Sequence, residues 1–134
     1  MTVKLTVETA ERTQMINITR RIGRAVTDSG VRSGLCTVSV PHTTAGVTIN
    51  ENADPDVVRD ITAELDKIVP WDDGYRHSEG NSAAHLKASM IGFSEQIVVE
   101  DGRLLLGIWQ GLYFCEFDGP RTRNVYLKIT ADPD

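Results

Sequence analysis

Apolar and polar residues alternate over short stretches along most of this chain. Val3, Leu5 and Val7 alternate with polar neighbours, and similar runs follow at residues 15–18, 35–40, 44–50, 95–100, 104–109, 112–117 and 124–130. A period of two predicts half-buried β-strands. The first two runs predict an opening hairpin, and Asp101-Gly102 predicts a two-residue hairpin turn of type I′.

Three further stretches carry apolar residues at helical spacing. The first is expected to run from a cap at Thr19 to a stop at Gly30. The second opens at Asp54 and Pro55, an N-cap followed by proline in the first helical position, and ends at Pro70. The third is capped by Asn81 or Ser82 and ends at Gly92, and its buried side is expected to carry Ala83, Leu86 and Met90.

The composition fits one globular domain over residues 1–134, with 40% hydrophobic and 25% charged residues. Runs of strands are broken by a few helices, and strict alternation of strand and helix is absent. The pattern therefore predicts an α+β fold with a mainly antiparallel sheet and about three helices.

Charge and hydropathy exclude two classes of partner. The 14 Lys and Arg residues against 19 Asp and Glu residues give a net charge of −5, so a nucleic-acid-binding surface is not expected. The longest apolar runs fall far short of the roughly 20 residues that span a bilayer, so no membrane helix is expected. The first eight residues alternate like a strand and lack a signal-peptide core, which predicts a cytoplasmic protein in which Cys36 and Cys115 are buried, reduced thiols.

The three histidines are the most informative polar residues. His42, His77 and His85 lie in loop-like or helix-start contexts, outside the predicted core positions. Three converging imidazoles make a site for zinc or another divalent metal, with an open position that polarises an oxygen or activates water. Their spacing matches no local metal motif, and three separate surface or hydrogen-bonded histidines are the alternative.

An acidic and amide-rich segment follows the predicted strand at residues 44–50. Asn50 and Glu51 lie at the junction between that strand and the second helix, and Asp54 is explained by capping. Glu51 and Glu79 are candidates for a general base or an oxygen ligand of a metal. The alternative for both is a solvated loop carboxylate.

Two more segments have residues suited to ligand binding. Trp109 and Gln110 stand between two glycines, where glycine indicates close approach of a ligand or of another subunit. Arg121 and Arg123 share a turn and suit a phosphate or carboxylate fork, with solvated arginines as the alternative. No dinucleotide fingerprint, P-loop, paired-cysteine motif or serine-hydrolase elbow is present.

Three segments together resemble the YjbQ-like family: HTTAGVTINENADP at 42–55, AHLKAS at 84–89 and GRLLLGIWQG at 102–111. The resemblance implies an α+β fold with a β-sandwich-like core and a trimeric assembly. Some members are labelled secondary thiamine-phosphate synthases. The family's histidine-bearing segments fall here on the three histidines, which implies that they meet at one pocket. Ile108 departs from the pattern, which commonly has threonine there.

Three functions follow as hypotheses. The first is an enzyme resembling thiamine-phosphate synthase, with anion clamps from Arg121, Arg123 and Lys87. The second is a metal-dependent hydrolase in which the histidines hold the metal and Glu51 or Glu79 acts as base. The third is a trimeric protein that binds a small anion without turnover. The candidate residues are catalytic Glu51, Glu79 and Lys87, metal-binding His42, His77 and His85, and ligand-binding Thr43, Asn50, Asn81, Trp109, Gln110, Arg121 and Arg123.

Overall fold

The computed structural model describes residues 1–134, which form eight strands and three helices. The strands are β1 (Thr2–Glu8), β2 (Gln14–Asn17), β3 (Gly34–Ser39), β4 (Ala45–Glu51), β5 (Ser94–Glu100), β6 (Arg103–Leu104), β7 (Gln110–Glu116) and β8 (Thr122–Ala131). The helices are α1 (Thr19–Ser29), α2 (Pro55–Ile68) and α3 (Ser82–Ile91).

The strands form two antiparallel sheets. One has five strands in the order β1-β8-β3-β5-β6, and the other has three in the order β2-β7-β4. The main core lies between the sheets and includes Val38, Val47, Phe114 and Leu127, with Ile22 of α1. This α+β sandwich with three helices confirms the expected fold class.

The three-stranded sheet is covered on both faces. Along β7, Leu112 and Phe114 enter the main core, whereas Tyr113 and Cys115 lie in a second cluster with Leu65 of α2 and with Ala84 and Ala88 of α3. Period-two alternation sends successive side chains to opposite faces. The strand is therefore almost continuously buried, as its apolar sequence requires.

Several local predictions are confirmed. Asp54 caps α2 by accepting a hydrogen bond from the Asp56 N–H, and Pro55 is the first helical residue. Gly30 ends α1 with a φ of 75°. Asp101 and Gly102, both at positive φ, join β5 to β6 as a two-residue hairpin turn. Both cysteines are buried free thiols.

Other local predictions are wrong. The first two strands do not form a hairpin, because β1 pairs with β8 in one sheet and β2 pairs with β7 in the other. Residues 105–109 are not in a strand, since β6 ends at Leu104. Thr19 is the first residue of α1 and not its cap, and the side chain of Asn17 accepts its N–H.

The predicted buried side of α3 is also wrong in part. Leu86 and Met90 are 45% and 55% exposed, while Ala83, Ala84, Lys87 and Ala88 are buried. The helix packs through small residues because it lies close to β4, where Gly46 has no side chain. A Cβ atom built on Gly46 would lie 2.5 Å from the carbonyl oxygen of Gly92. The buried side of α3 therefore consists mainly of small residues that lie close to the backbone, and not of the larger apolar residues that helical spacing alone predicts.

The register of the three-stranded sheet defines two ends of the molecule. Ala45 of β4 pairs with Glu116 of β7 at one end, and Glu51 pairs with Gln110 at the other. At about 3.4 Å per residue the two ends are roughly 20 Å apart. The candidate residues other than Lys87 divide between these ends.

Candidate functional site: a polar histidine cleft

A cleft of about 450 Å³ opens at the end of the sheet where β4 starts and β7 finishes. The segment before β4, the turn between β7 and β8, and the start of α3 contribute its walls. Apart from Pro41, every lining residue is polar or charged. They are His42, Thr43, Thr44, His77, Glu79, Asn81, His85, Asp118, Arg121 and Arg123.

The fold therefore brings all three histidines to one cleft, together with five of the other candidates. Thr43, Glu79, Asn81, Arg121 and Arg123 are separated by up to 80 residues in sequence and line the same walls. Convergence of chemically useful side chains from distant segments is the usual property of a ligand site.

His42 is fixed by the main chain of β8. Its Nε2 accepts a hydrogen bond of 2.9 Å from the N–H of Asn124, so the proton of the neutral ring must be on Nδ1. Burial, together with the positive charge of Arg123, lowers the pKa of His42 below its usual value. His42 is thus a neutral imidazole that has one N–H left to donate.

His77 and His85 form a contacting pair. Their ring centroids are 5.3 Å apart, and the planes meet at 86° in an edge-to-face arrangement. The Nε2 of His77 lies 4.0 Å from a carboxylate oxygen of Glu79. Unlike His42, neither ring is held by a hydrogen bond to the backbone, so both keep ring nitrogens with which to hydrogen-bond a ligand.

The arrangement does not fit a metal ion held by the three histidines. No three side chains of His, Cys, Asp or Glu are grouped at coordination distance. The Nε2 lone pair of His42 is occupied by the Asn124 N–H, and Nδ1 carries the ring proton. His42 would have to break this hydrogen bond before it could ligate zinc, so we derive no chemistry from a metal here.

A buried ion pair forms the floor of the cleft. Arg123 pairs with Glu116 through Nη2, and its Nε donates a hydrogen bond of 2.8 Å to the same carboxylate. Thr9 and the Asp118 N–H also donate to Glu116, and Arg123 donates to Thr44. Burial alone raises the pKa of Glu116, but these hydrogen bonds and the Arg123 charge outweigh it and lower the pKa. The charge of Arg123 is therefore largely compensated by Glu116.

Asp118 organises the wall next to this pair. One of its carboxylate oxygens accepts hydrogen bonds from Arg121, at 3.0 Å, and from the amide of Asn81, at 2.9 Å. Arg121 also donates through Nε to the Asp118 carbonyl, yet its side chain remains 51% exposed. Arg121 is thus the half-exposed guanidinium of the cleft, with donor capacity remaining for an anion.

Asn81 carries an unsatisfied atom. Because its amide nitrogen faces the Asp118 carboxylate, its Oδ1 must point the other way, and this oxygen is buried with no hydrogen-bond partner. It is the one such side-chain atom in the structure. A buried acceptor without a donor costs about 1–3 kcal/mol, and this one belongs to a residue that lines the cleft.

The remaining candidates lie elsewhere. Asn50, Glu51 and Gln110 are at the opposite end of the three-stranded sheet, and Trp109 precedes β7 there with 60% of its surface exposed. Lys87 lies in neither group, since it is buried on α3 in an ion pair with Asp66 of α2. None of these five residues lies in the cleft. Four of them are at the opposite end of the sheet, and Lys87 is apart from both groups.

The side chain of Asn52 explains one glycine beside Trp109. A Cβ atom on Gly111 would lie 2.6 Å from the Cβ of Asn52, whose amide donates to the Gln110 carbonyl. The close approach expected at this glycine is thus made by the same chain. Gly107 lies outside the strands, where its N–H donates to the side chain of Gln110.

Sequence reasoning missed three residues of the site. Asp118 and Thr44 gave no signal, because short polar residues beside turns are common. Glu116 did give one, since it is a carboxylate at the end of an otherwise apolar run from residue 112 to 117. A charge in that position must be paired when the strand is buried.

The structure contains no helix long and apolar enough to cross a membrane.

Comparison with known proteins identifies the family of this chain. The sequence profile described as UPF0047 protein YjbQ-like matches residues 3–132. UPF0047 protein YugU of Bacillus subtilis is 52% identical over 126 residues, covering 93% of this chain and 96% of the relative. UPF0047 protein MJ1081 of Methanocaldococcus jannaschii is 48% identical, covering 98% of this chain and 96% of the relative.

Solved structures agree with this result. The crystal structure of an uncharacterised YjbQ/UPF0047 protein from Clostridium acetobutylicum is 55% identical, with a TM-score of 0.94 over 96% of this chain and 99% of that one. A YbjQ-like protein of unknown function from Sulfolobus solfataricus is 28% identical, with a TM-score of 0.95 over 98% of this chain and 97% of that one. The chain belongs to the YjbQ-like UPF0047 family.

Proposed function

We propose that this chain is a small-molecule enzyme that binds a phosphate-bearing substrate in the polar cleft and uses the cleft histidines for proton transfer. One observation carries the proposal: three imidazoles and a half-exposed guanidinium line a cleft that contains no apolar side chain except Pro41. A cleft of this composition favours a small polar anion.

Each side chain has a distinct role in this proposal. Arg121, held by Asp118, donates to phosphate oxygens. His42, with its proton on Nδ1, donates to an oxygen on which negative charge develops, because it is neutral and already oriented. His77 and His85 accept and return protons, with the Glu79 carboxylate 4.0 Å from Nε2 of His77.

The reaction that we place first is formation of thiamine phosphate, as in the secondary thiamine-phosphate synthases that members of the family resemble. That reaction joins a pyrimidine pyrophosphate to a thiazole phosphate with loss of pyrophosphate. Arg121 and His42 provide donors for a leaving pyrophosphate. Lys87 is not assigned to this clamp, because it is buried against Asp66.

The metal-dependent hydrolase is the second candidate, and the geometry of His42 argues against it. We expect less than stoichiometric zinc or other transition metal in tag-free protein, measured by elemental analysis. One metal per chain that is lost in the triple substitution of His42, His77 and His85 by alanine would restore this candidate.

Two wider features belong to the same proposal. The exposed apolar side chains at 105, 108 and 109, with Ile108 86% exposed, support an assembly of several copies, and the family resemblance suggests a trimer. Size-exclusion chromatography with light scattering tests this. The two free thiols are in keeping with a cytoplasmic location.

The first experiment measures binding of inorganic phosphate by isothermal titration calorimetry. Arg121→Gln is expected to weaken binding about 10-fold or more, because it removes a charge-assisted hydrogen bond. Arg103→Gln, an exposed arginine of β6 outside the cleft, is the matched control. Equal affinity in both variants would remove Arg121 from the site.

The second experiment tests turnover. Purified protein is supplied with the pyrimidine pyrophosphate and the thiazole phosphate, and thiamine phosphate is quantified for wild type and for His77→Ala and His85→Ala. We expect each substitution to lower the rate about 100-fold, within the range of a lost acid–base group. Phosphate binding without product in any assay would favour the non-catalytic anion-binding protein, and equal rates in all three would exclude these histidines.

A further inference from the structure

We propose that the substrate has two chemically different halves: a phosphate end in the polar cleft and a flat aromatic group in an adjoining pocket beside Phe93. This inference rests on the proposed function. It is carried by a second cavity of about 310 Å³ that shares His42, Thr43 and His85 with the polar cleft. The two cavities meet at these three residues.

The second cavity has a different lining from the first. Beyond the shared residues, its walls include Ala45, Ala88 and Phe93, with Gly92 and Ser89 at the edge. No carboxylate, lysine or arginine lines it. The polar cleft, by contrast, has four charged side chains. One cavity thus suits an anion, and the other, which has no carboxylate, lysine or arginine, suits an uncharged group that contacts Phe93.

Phe93 is an exposed aromatic ring on a fixed backbone. Its carbonyl accepts a hydrogen bond of 2.8 Å from the Val40 N–H, and the carbonyl of Gly92 accepts one from Val47 at 3.1 Å. The segment is therefore fastened to the chain both before β4 and within it, yet 65% of Phe93 is exposed. Because the backbone is held in place, only the side-chain torsions of Phe93 need to be ordered when the ring offers its face to a ligand.

The small walls of the pocket favour a flat ligand. Ala45 and Ala88 are buried and leave space where larger side chains would fill the cavity. Gly46 permits this geometry, since any side chain there would push α3 away from β4. Aromatic rings stack with an offset at centroid distances of about 4.5–7 Å, and this arrangement fits a ring that slides in beside Phe93.

The two-part site also positions the two imidazoles. His42 and His85 line both cavities, so the junction between the ring and the phosphate lies next to them. Of these two cavities, His77 lines the polar cleft alone, at the phosphate end. The substrate class is therefore an organic phosphate in which an aromatic or heteroaromatic ring lies within a few bonds of the phosphate.

The experiment compares three probes by isothermal titration calorimetry: inorganic phosphate, methyl phosphate and phenyl phosphate. Wild type is expected to bind phenyl phosphate about 5-fold tighter than methyl phosphate, as one aromatic contact provides. Phe93→Ala is expected to abolish this preference while the affinity for methyl phosphate stays within twofold. Tyr126→Leu, which removes a part-exposed aromatic ring from β8 outside both cavities, should keep it.

The outcomes separate the two proposals. If none of the three probes binds, the proposed phosphate site itself fails. If all three bind equally, the phosphate site stands and the aromatic pocket is overturned. If cyclohexyl phosphate binds as tightly as phenyl phosphate, the pocket accepts any apolar group, and the assignment to a flat ring is overturned. If Phe93→Ala weakens methyl and phenyl phosphate equally, Phe93 acts on the fold and the inference fails.

Discussion

The two ends of the three-stranded sheet carry similar residue types and use them differently. At the end where Ala45 pairs with Glu116, side chains from four separate segments face one cleft. At the other end, three polar side chains accept hydrogen bonds from N–H groups close to them in sequence. Asn50 accepts the Glu51 N–H, Glu51 accepts the Ala53 N–H, and Gln110 accepts the Gly107 N–H.

This difference shows how convergence distinguishes a candidate site from a turn. At the second end, the side chains of Asn50, Glu51 and Gln110 accept from N–H groups one to three positions away, which is the usual behaviour of short polar side chains beside strands. The longer-range hydrogen bonds there, from Asn52 and Tyr113, go to backbone carbonyls. Those at the first end join Thr9 to Glu116 and Asn81 to Asp118, across 107 and 37 positions. The first end therefore differs in joining side chain to side chain across distant segments.

The largest expected effect is the loss of Arg123. Arg123→Ala leaves Glu116 buried and unpaired, so the free energy of unfolding should fall by about 3–5 kcal/mol. Chemical denaturation measures this change. The double variant Glu116→Leu with Arg123→Leu, which removes both charges, should recover most of the loss. A single variant that loses less than about 1 kcal/mol would show that the pair is not buried in solution.

Substitution of two glycines, one near each end of the three-stranded sheet, compares the two ends directly. Gly46→Ala places a Cβ against the backbone carbonyl of Gly92, which moves only if α3 moves, and should cost about 2–3 kcal/mol. Gly111→Ala meets the Cβ of Asn52, which cannot rotate away but lies on an exposed segment after β4 that can shift more readily than a helix, and should cost about 1 kcal/mol.

The same pair separates stability from binding. Gly46→Ala should weaken phosphate binding at least 10-fold, since it shifts the helix that carries His85, whereas Gly111→Ala should leave it within twofold. Calorimetric titration of both variants at a temperature where each is folded is the measurement. Equal weakening by both would mean that the cleft responds to global stability and not to the position of α3.

Low pH should lower the free energy of unfolding through Glu116, at the end of the sheet where this residue pairs with Ala45. The folded pKa of Glu116 is below its unfolded value, so the unfolded chain binds more protons between the two pKa values. The contribution of Glu116 is complete above its usual pKa of 4.5 and is lost as the pH falls through the folded pKa. Each such group adds up to about 1.4 kcal/mol per pH unit in that window. Denaturation of wild type and Glu116→Gln between pH 5 and pH 3 should show a smaller slope in the variant, and identical slopes would contradict the assignment.

The sequence predicted those features that depend on neighbouring residues or on simple periodicity. The cap at Asp54, the turn at Asp101-Gly102 and most strand positions follow from local rules. The hairpin expected between β1 and β2 failed because both strands found longer partners far along the chain. Local pattern indicates that a strand forms but not which strand it will pair with.

In the candidate site, too, local sequence indicates some residues and not those whose role depends on distant contacts. His42, His77 and His85 could be singled out because histidine is rare in this chain and lies outside the core pattern. Lys87 could not be separated from solvated lysines, because its burial depends on Asp66 of another helix. Phe93 follows α3 like any loop residue, and only the approach of Gly92 to Gly46 places it beside the cleft.

The smallest expected effect compares two carboxylates that the sequence could not rank. Glu79 lines the cleft and repels a bound anion, although it is well exposed, so Glu79→Gln should strengthen binding of inorganic phosphate about twofold. Glu51 lies roughly 20 Å away at the other end of β4, beyond the screening distance of about 8 Å at physiological salt. Glu51→Gln should therefore leave phosphate affinity unchanged. Titration at low salt, where the screening distance is longer, sharpens the contrast: the Glu79 effect should grow, and an equal gain from Glu51→Gln would show that only net charge, and not the cleft, governs binding.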